Sequence, residues 1–221
     1  MFDRITPHYD LLNRVLSAWQ DVYWRRRTAR LLPDSCVRVL DSATGSGDLA
    51  IEIARRFPDA HVIGLDFVYR MLELAKKKTL KENIKNQIHY ISGDANYLPF
   101  EDHTFDAVTI AFGLRNIQDR LAAVKEMKRV VRPDGKVLVL EMTFPKNIGM
   151  RWFFNFYLNF VIPILGRFIT KGGAYRYLSD SIQDFLSPEE MNALFSEAGL
   201  TNIQAHRLTG GICYIHEGTV K

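Results

Sequence analysis

Residues 39–50 read Val39-Leu40-Asp41-Ser42-Ala43-Thr44-Gly45-Ser46-Gly47-Asp48-Leu49-Ala50. An apolar run closes on an acid, a glycine loop follows, and a helix begins. Gly45 and Gly47 give the loop access to positive φ and to close approach by a ligand. The helix offers its unpaired first N–H groups at the same point. Leu49, Ile53 and Phe57 recur every fourth residue, as the buried stripe of an amphipathic helix does. This strand–loop–helix junction predicts a nucleotide-like ligand.

Two ligand classes suit such a loop. Gly45-x-Gly47-x-x-Ala50 satisfies the dinucleotide fingerprint, with Asp66 about twenty residues on. A pyrophosphate, however, is repelled by a carboxylate placed just before the loop. S-adenosylmethionine carries an ammonium, a sulfonium and a ribose but no phosphate, and Asp41 suits that ligand. The competing reading is that Asp41 only caps its own loop. Further acids follow in order. Residues 61–66 form a second apolar run ending at Asp66, whose carboxylate suits two ribose hydroxyls. A third strand, 88–92, leads to Asp94-Ala95, a carboxylate for an adenine amino group and a backbone N–H for the ring. A fourth, 105–111, ends at Ala111 before Phe112-Gly113-Leu114-Arg115-Asn116. Three acids at successive strand ends line the carboxyl edge of a parallel sheet, where open α/β folds bind ligands.

The 221 residues make one domain with no linker, repeat or low-complexity tract. The net charge of +4 does not call for nucleic acid. Arg25-Arg26-Arg27 and Lys76-Lys77-Lys78 read as solvated helix faces. Cys36 and Cys213 lack metal-ligand spacing, and no secretory signal opens the chain, so a reduced cytoplasmic protein without a metal is expected. A helix over 119–131 should stop at Arg132-Pro133-Asp134-Gly135, with a fifth strand over 136–142. Ser187-Pro188-Glu189-Glu190 opens a further helix that ends at Gly199. Strands over 202–208 and 212–216 then form a terminal hairpin turning at Gly210-Gly211. Strand–helix alternation makes the fold α/β, a mostly parallel sheet with helices on both faces. The aromatic segment 151–166 is too short and too interrupted to span a bilayer; it reads either as a packed lid helix that belongs to the core or, the reading favoured for the segment as a group, as a wall for an apolar substrate or a surface that touches a membrane.

These motifs resemble the ubiquinone/menaquinone biosynthesis C-methyltransferases, class I S-adenosylmethionine-dependent enzymes. The likeness covers nearly the full length. It rests on Phe2-Asp3-Arg4-Ile5 with Tyr9-Asp10 and Asn13, the 41–49 loop, Gly64-Leu65-Asp66, and Asp94-Ala95 with Leu98-Pro99-Phe100. Its most specific parts are Phe112-Gly113-Leu114-Arg115-Asn116 and Tyr175-Arg176-Tyr177-Leu178 with Ser181-Ile182. The chain departs from the family pattern at Ser46, where threonine is usual, at Ala111, and in the placing of Pro188. The resemblance implies a Rossmann-like seven-stranded sheet, a helical cap over residues 1–31 and a substrate-side lid over 147–185. It implies S-adenosylmethionine held by Tyr9, Asp41, Gly45, Ser46, Gly47, Asp66, Phe67, Asp94, Ala95 and Ala111.

The reaction implied is C-methylation of a polyprenylated hydroquinone, in the menaquinone or the ubiquinone branch, with residues 10–17 closer to the menaquinone one. Arg115 and Asn116 are then the catalytic pair, stabilising a phenolate and holding a water that removes its proton. The alternative for Arg115 is a structural ion pair with an acid such as Asp119. His8 is a second candidate base, and Tyr177 either meets a quinol oxygen or packs. An isoprenoid quinol is the expected partner, with a peripheral contact at the inner membrane face and a homodimer also open. Competing readings are a methyltransferase for another small acceptor, a nicotinamide-dependent oxidoreductase and a non-catalytic binding module.

Overall fold

The computed structural model describes residues 9–84, 87–161 and 174–221. Helices α1 (Tyr9–Leu16) and α2 (Gln20–Ala29) precede the alternating part. That part runs β1 (Arg38–Ser42), α3 (Asp48–Arg56), β2 (His61–Asp66), α4 (Tyr69–Lys81), β3 (Ile88–Ser92), β4 (Phe105–Ala111), α5 (Arg120–Val130) and β5 (Val131–Met142). There follow α6 (Ile148–Phe156), a π-helical turn (Tyr157–Val161), α7 (Ala174–Gln183) and α8 (Pro188–Glu197). Strands β6 (Thr201–Leu208) and β7 (Cys213–Thr219) close the chain.

The seven strands form one sheet in the order β3-β2-β1-β4-β5-β7-β6. Strands β1 to β5 run parallel, and β7 pairs antiparallel with both β5 and β6. The apolar runs read as central strands are buried on both sides: Val39, Leu40, Val62, Ala107, Val108 and Ile110 are almost wholly enclosed. One core lies between the sheet and α2–α3, around Trp24, Leu49 and Ile53. The other lies against α5 and α8, around Phe105, Met127 and Phe195. Two faces packed by helices are what a parallel sheet requires.

Most predicted elements fall where the periodicity puts them. Ser187 caps α8 in a full capping box with Glu190, and Gly199 takes φ +81° beyond its end. The fifth strand is longer than expected. Arg132–Gly135 do end α5, yet β5 starts at Val131, because Phe105 pairs with Val131 and Ala107 with Lys136 across a bulge. Asp134 turns the bulge at φ +63°, and a Cβ on Gly135 would lie 2.6 Å from the Asp106 carbonyl. The turn signal stops the helix as expected, but the chain absorbs it inside the strand rather than before it.

Of segment 151–166, residues 162–166 lie outside the described residues, and the rest divides. Phe154 and Leu158, four residues apart, are buried in the core. Ile148, Trp152, Phe156 and Phe160 lie outward, the last three 74, 46 and 59 % exposed. No described helix is long and apolar enough to cross a membrane.

Candidate cofactor and acceptor site

The strand order reverses between β1 and β4, and a cavity of about 380 Å³ opens at their carboxyl ends. This is the switch point at which open α/β sheets bind ligands. The loops after β1, β2, β3 and β4 wall it, together with Arg25 from α2.

Asp41 ends β1 and is 1 % exposed. Its two carboxylate oxygens accept from the hydroxyls of Thr44 (2.6 Å) and Thr109 (2.8 Å). Burial pushes its pKa up to about 6, and these two hydrogen bonds restrain the rise. Asp66 ends β2. One oxygen accepts from Gly45 N–H (2.7 Å) and the other from Val68 N–H (2.8 Å). Burial raises its pKa, and the two backbone donors oppose the shift. Asp66 thus ties the first loop to the second, and each oxygen keeps lone-pair capacity for a ligand hydroxyl. Asp94 is exposed at the mouth and accepts from Asn96 N–H (2.9 Å), while Ala95 is buried beside it. Phe67 lines the same wall with its ring 79 % exposed. Ser46 also lines the cavity, and its hydroxyl donates to Asp10 of α1 (2.6 Å). Ala111 and Asn116 complete the walls from the β4 side.

Gly47 has a different part from the one expected. It takes φ +79° as the cap of α3, but it does not line the cavity. A Cβ there would lie 2.5 Å from the Tyr90 hydroxyl, and one on Gly64 would lie 2.6 Å from the same ring. The close approach allowed by Gly47 is to Tyr90, whose hydroxyl bonds Thr79 at 2.9 Å.

The Phe112–Asn116 run is also partly redirected. Phe112 turns at φ +57°, and Gly113 sits so tightly on Ala43 that a Cβ would approach within 2.8 Å. Asn116 faces the cavity. Arg115 does not; its Nη1 is paired to Glu141 of β5, which is 1 % exposed and also accepts from the Arg115 N–H at 3.3 Å. The expected alternative partner, Asp119, instead caps α5 by accepting from Ala122 N–H. Tyr9 opens α1, but its side chain lies outside the described residues, as do His8, residues 2–5 and the side chains of 175–178.

Sequence reasoning missed the polar frame over the loop. Arg25, expected on a solvated face, is buried, lines the cavity and lies 5.1 Å from the Phe112 ring centroid. Asp21, Trp24, Arg25 and Thr28 are all buried and spaced as one helix face, a signal that was available. Lys78, also assigned to solvent, pairs with Asp10 at 2.7 Å and with Asp48, and Arg14 reaches Asp48 at 3.0 Å. Burial would raise the Asp48 pKa, but Arg25, Lys78 and Arg14 outweigh it and hold the carboxyl below its ordinary value. Among described residues no cluster of His, Cys, Asp or Glu is arranged to hold a metal.

The donor set fits S-adenosylmethionine. Asp41, Asp48, Asp66 and Asp94 face one cavity with a single cation, Arg25, among the described lining residues. A pyrophosphate meets repulsion there; a zwitterionic nucleoside does not.

Comparison with known proteins agrees. The model of the ubiE/COQ5 methyltransferase family matches residues 1–220. A ubiquinone/menaquinone biosynthesis C-methyltransferase UbiE from Geotalea daltonii is 40% identical over 99% of this chain and 94% of its own length. A demethylmenaquinone methyltransferase from Thermus thermophilus is 42% identical over 99% of both chains. Among solved structures, a SAM-dependent methyltransferase from Thermotoga maritima, described as a possible histamine N-methyltransferase, superposes with a TM-score of 0.70. It is 19% identical, covers 100% of this chain and 98% of its own, and so speaks for the fold. With a family match that runs the length of the chain and a cavity whose donor set fits S-adenosylmethionine, this protein belongs to the ubiE/COQ5 methyltransferase family.

Proposed function

We propose that this methyltransferase methylates a ring carbon of a polyprenylated hydroquinone at the expense of S-adenosylmethionine, converting demethylmenaquinol to menaquinol. The observation that carries the reading is the cavity at the β1/β4 switch point, continuous with the Phe112–Asn116 turn. The relatives named for this chemistry supply the substrate class.

When bound, S-adenosylmethionine supplies an electrophilic methyl group on a sulfonium. The chain's residues do the rest. Asp66 receives the ribose hydroxyls on the oxygens already set by Gly45 and Val68. Asp94 and the Ala95 N–H meet the adenine edge, and the exposed Phe67 ring offers it a stacking face. Asp41, ionised above about pH 6, attracts the ammonium. An aromatic carbon becomes nucleophilic once the neighbouring hydroxyl loses its proton. Asn116 stands at the wall where that hydroxyl would sit. Arg115, paired with buried Glu141, sets the turn behind it and so positions Asn116. Arginine keeps its own proton, so the proton leaves through water held at this turn.

The outward row of α6 supports the acceptor side of the proposal. Trp152 stacks on Phe156 at 6.1 Å and Phe156 on Phe160 at 5.2 Å, all exposed and spaced four residues apart. We assign this row to the surface of the bilayer that holds the polyprenyl tail. The test is methyl transfer from labelled S-adenosylmethionine to demethylmenaquinol and to demethyl-methoxy-benzoquinol, each kept reduced. Turnover of the first is expected; cofactor binding without transfer to either would discard the quinol.

A further inference from the structure

We infer that Arg25 is the anion anchor of the cofactor site and binds the carboxylate at the amino-acid end of S-adenosylmethionine. The inference rests on the cofactor assignment above and goes beyond it, because the ligand's nucleoside and ammonium can be held without Arg25.

Burying a guanidinium is costly unless its charge is used. The Arg25 side chain is 9 % exposed, and its partner Asp21 is 4 % exposed. Nη1 makes both of its bonds to Asp21, to Oδ2 at 2.6 Å and to the carbonyl at 3.3 Å. Asp21 has other partners. That carboxylate is also paired with Arg14 and accepts from the Ser17 hydroxyl at 2.9 Å. Arg25 is therefore a second cation on an acid already served, and it is the one that faces the cavity.

The ligand's chemistry supplies a further anion. A free amino-acid end carries an ammonium and a carboxylate on one carbon. Asp41 answers the ammonium, but Asp41 and Asp48 together repel the carboxylate. Arg25 acts on both of these acids electrostatically, so its charge lies within reach of the same end of the cavity. A guanidinium has five donors in a planar fork suited to a carboxylate, and the bonds to Asp21 leave from Nη1 only. The Phe112 ring packs under the guanidinium, 5.1 Å from Cζ to the ring centroid.

The experiment is calorimetric titration with S-adenosylmethionine and with its decarboxylated analogue, which keeps the sulfonium, ribose, adenine and ammonium. The unaltered protein should bind the complete cofactor on the order of 10- to 100-fold more tightly than the analogue. Arg25→Met should abolish that preference by weakening only the complete cofactor, and Arg25→Lys should restore part of it. Equal binding of the two ligands by the unaltered protein would overturn the inference without requiring any variant to fold. So would an equal loss on both ligands in Arg25→Met. Failure to bind either ligand would overturn the cofactor assignment and this inference together, a pattern distinct from the other two.

Discussion

The two ends of the active region are built on opposite terms. At the cofactor end the functional groups are committed before any ligand arrives. Asp66 is bonded to two loop amides, Asp41 to two hydroxyls, and Ser46 to α1 through Asp10. At the proposed acceptor end the aromatics of α6 and the turn after it are stacked on one another and face outward. The difference follows from the ligands. A compact polar cofactor is recognised by oriented donors and acceptors, which must be rigid to discriminate. A long apolar tail is held by contact area, which needs little orientation. Preorganisation is therefore spent on one side and apolar exposure on the other.

The largest expected effect breaks the link between the two ends. Arg115→Ala should loosen the turn that carries Asn116 and lower kcat by about 10²-fold while leaving cofactor affinity within about threefold, read by single-turnover transfer and calorimetry. Equal losses in both would make the Arg115–Glu141 pair structural only. Next comes the cofactor end itself. Asp66→Ala removes an acceptor from two backbone amides and two ribose hydroxyls, so affinity for S-adenosylhomocysteine should fall about 100-fold. A drop smaller than about fivefold would remove Asp66 from the site.

A third effect depends on pH. Burial raises the Asp41 pKa from 3.8 to about 6. Its contribution to stability is therefore fully present below the unfolded-state value and is lost as pH rises through about 6. Its contribution to binding has the opposite sign, since only the carboxylate attracts an ammonium. Cofactor affinity should fall roughly tenfold between pH 7.5 and pH 5, and Asp41→Asn should flatten the profile. A flat profile in the unaltered protein would mean that Asp41 only braces Thr44 and Thr109. The smallest effect sharpens the acceptor end. Trp152→Ser with Phe156→Ser should leave the melting temperature nearly unchanged, because both are surface residues. Sedimentation with anionic vesicles should weaken several-fold, as should turnover of a long-tailed quinol relative to a short-tailed one. Equal vesicle binding by the variant would place the membrane contact elsewhere.

Much of this was legible in the chain. Asp41 and Asp66 end two apolar runs and Asp94 follows a third; the first two became central parallel strands because they are largely buried, and the third became the half-exposed edge strand β3, paired with β2. Periodicity and capping also fixed the helices: Ser187 with Glu190 and Gly199 delimit α8 through bonds between near neighbours. Those signals are local, so the amino-acid order alone carries them. What tertiary structure decided is who meets whom at long range. Nothing near Gly47 in the sequence announces that its missing side chain makes room for Tyr90. Arg115 finds Glu141 on the neighbouring strand rather than nearby Asp119, because the helix cap claims Asp119 first and β5 places Glu141 under the turn. Arg25, in a run of three arginines, is singled out for burial only because α2 turns that face toward the sheet and the cavity. Local bonding patterns recur along a chain and can be read from it; pairings between distant charges depend on strand order and helix rotation, which only the packed core sets.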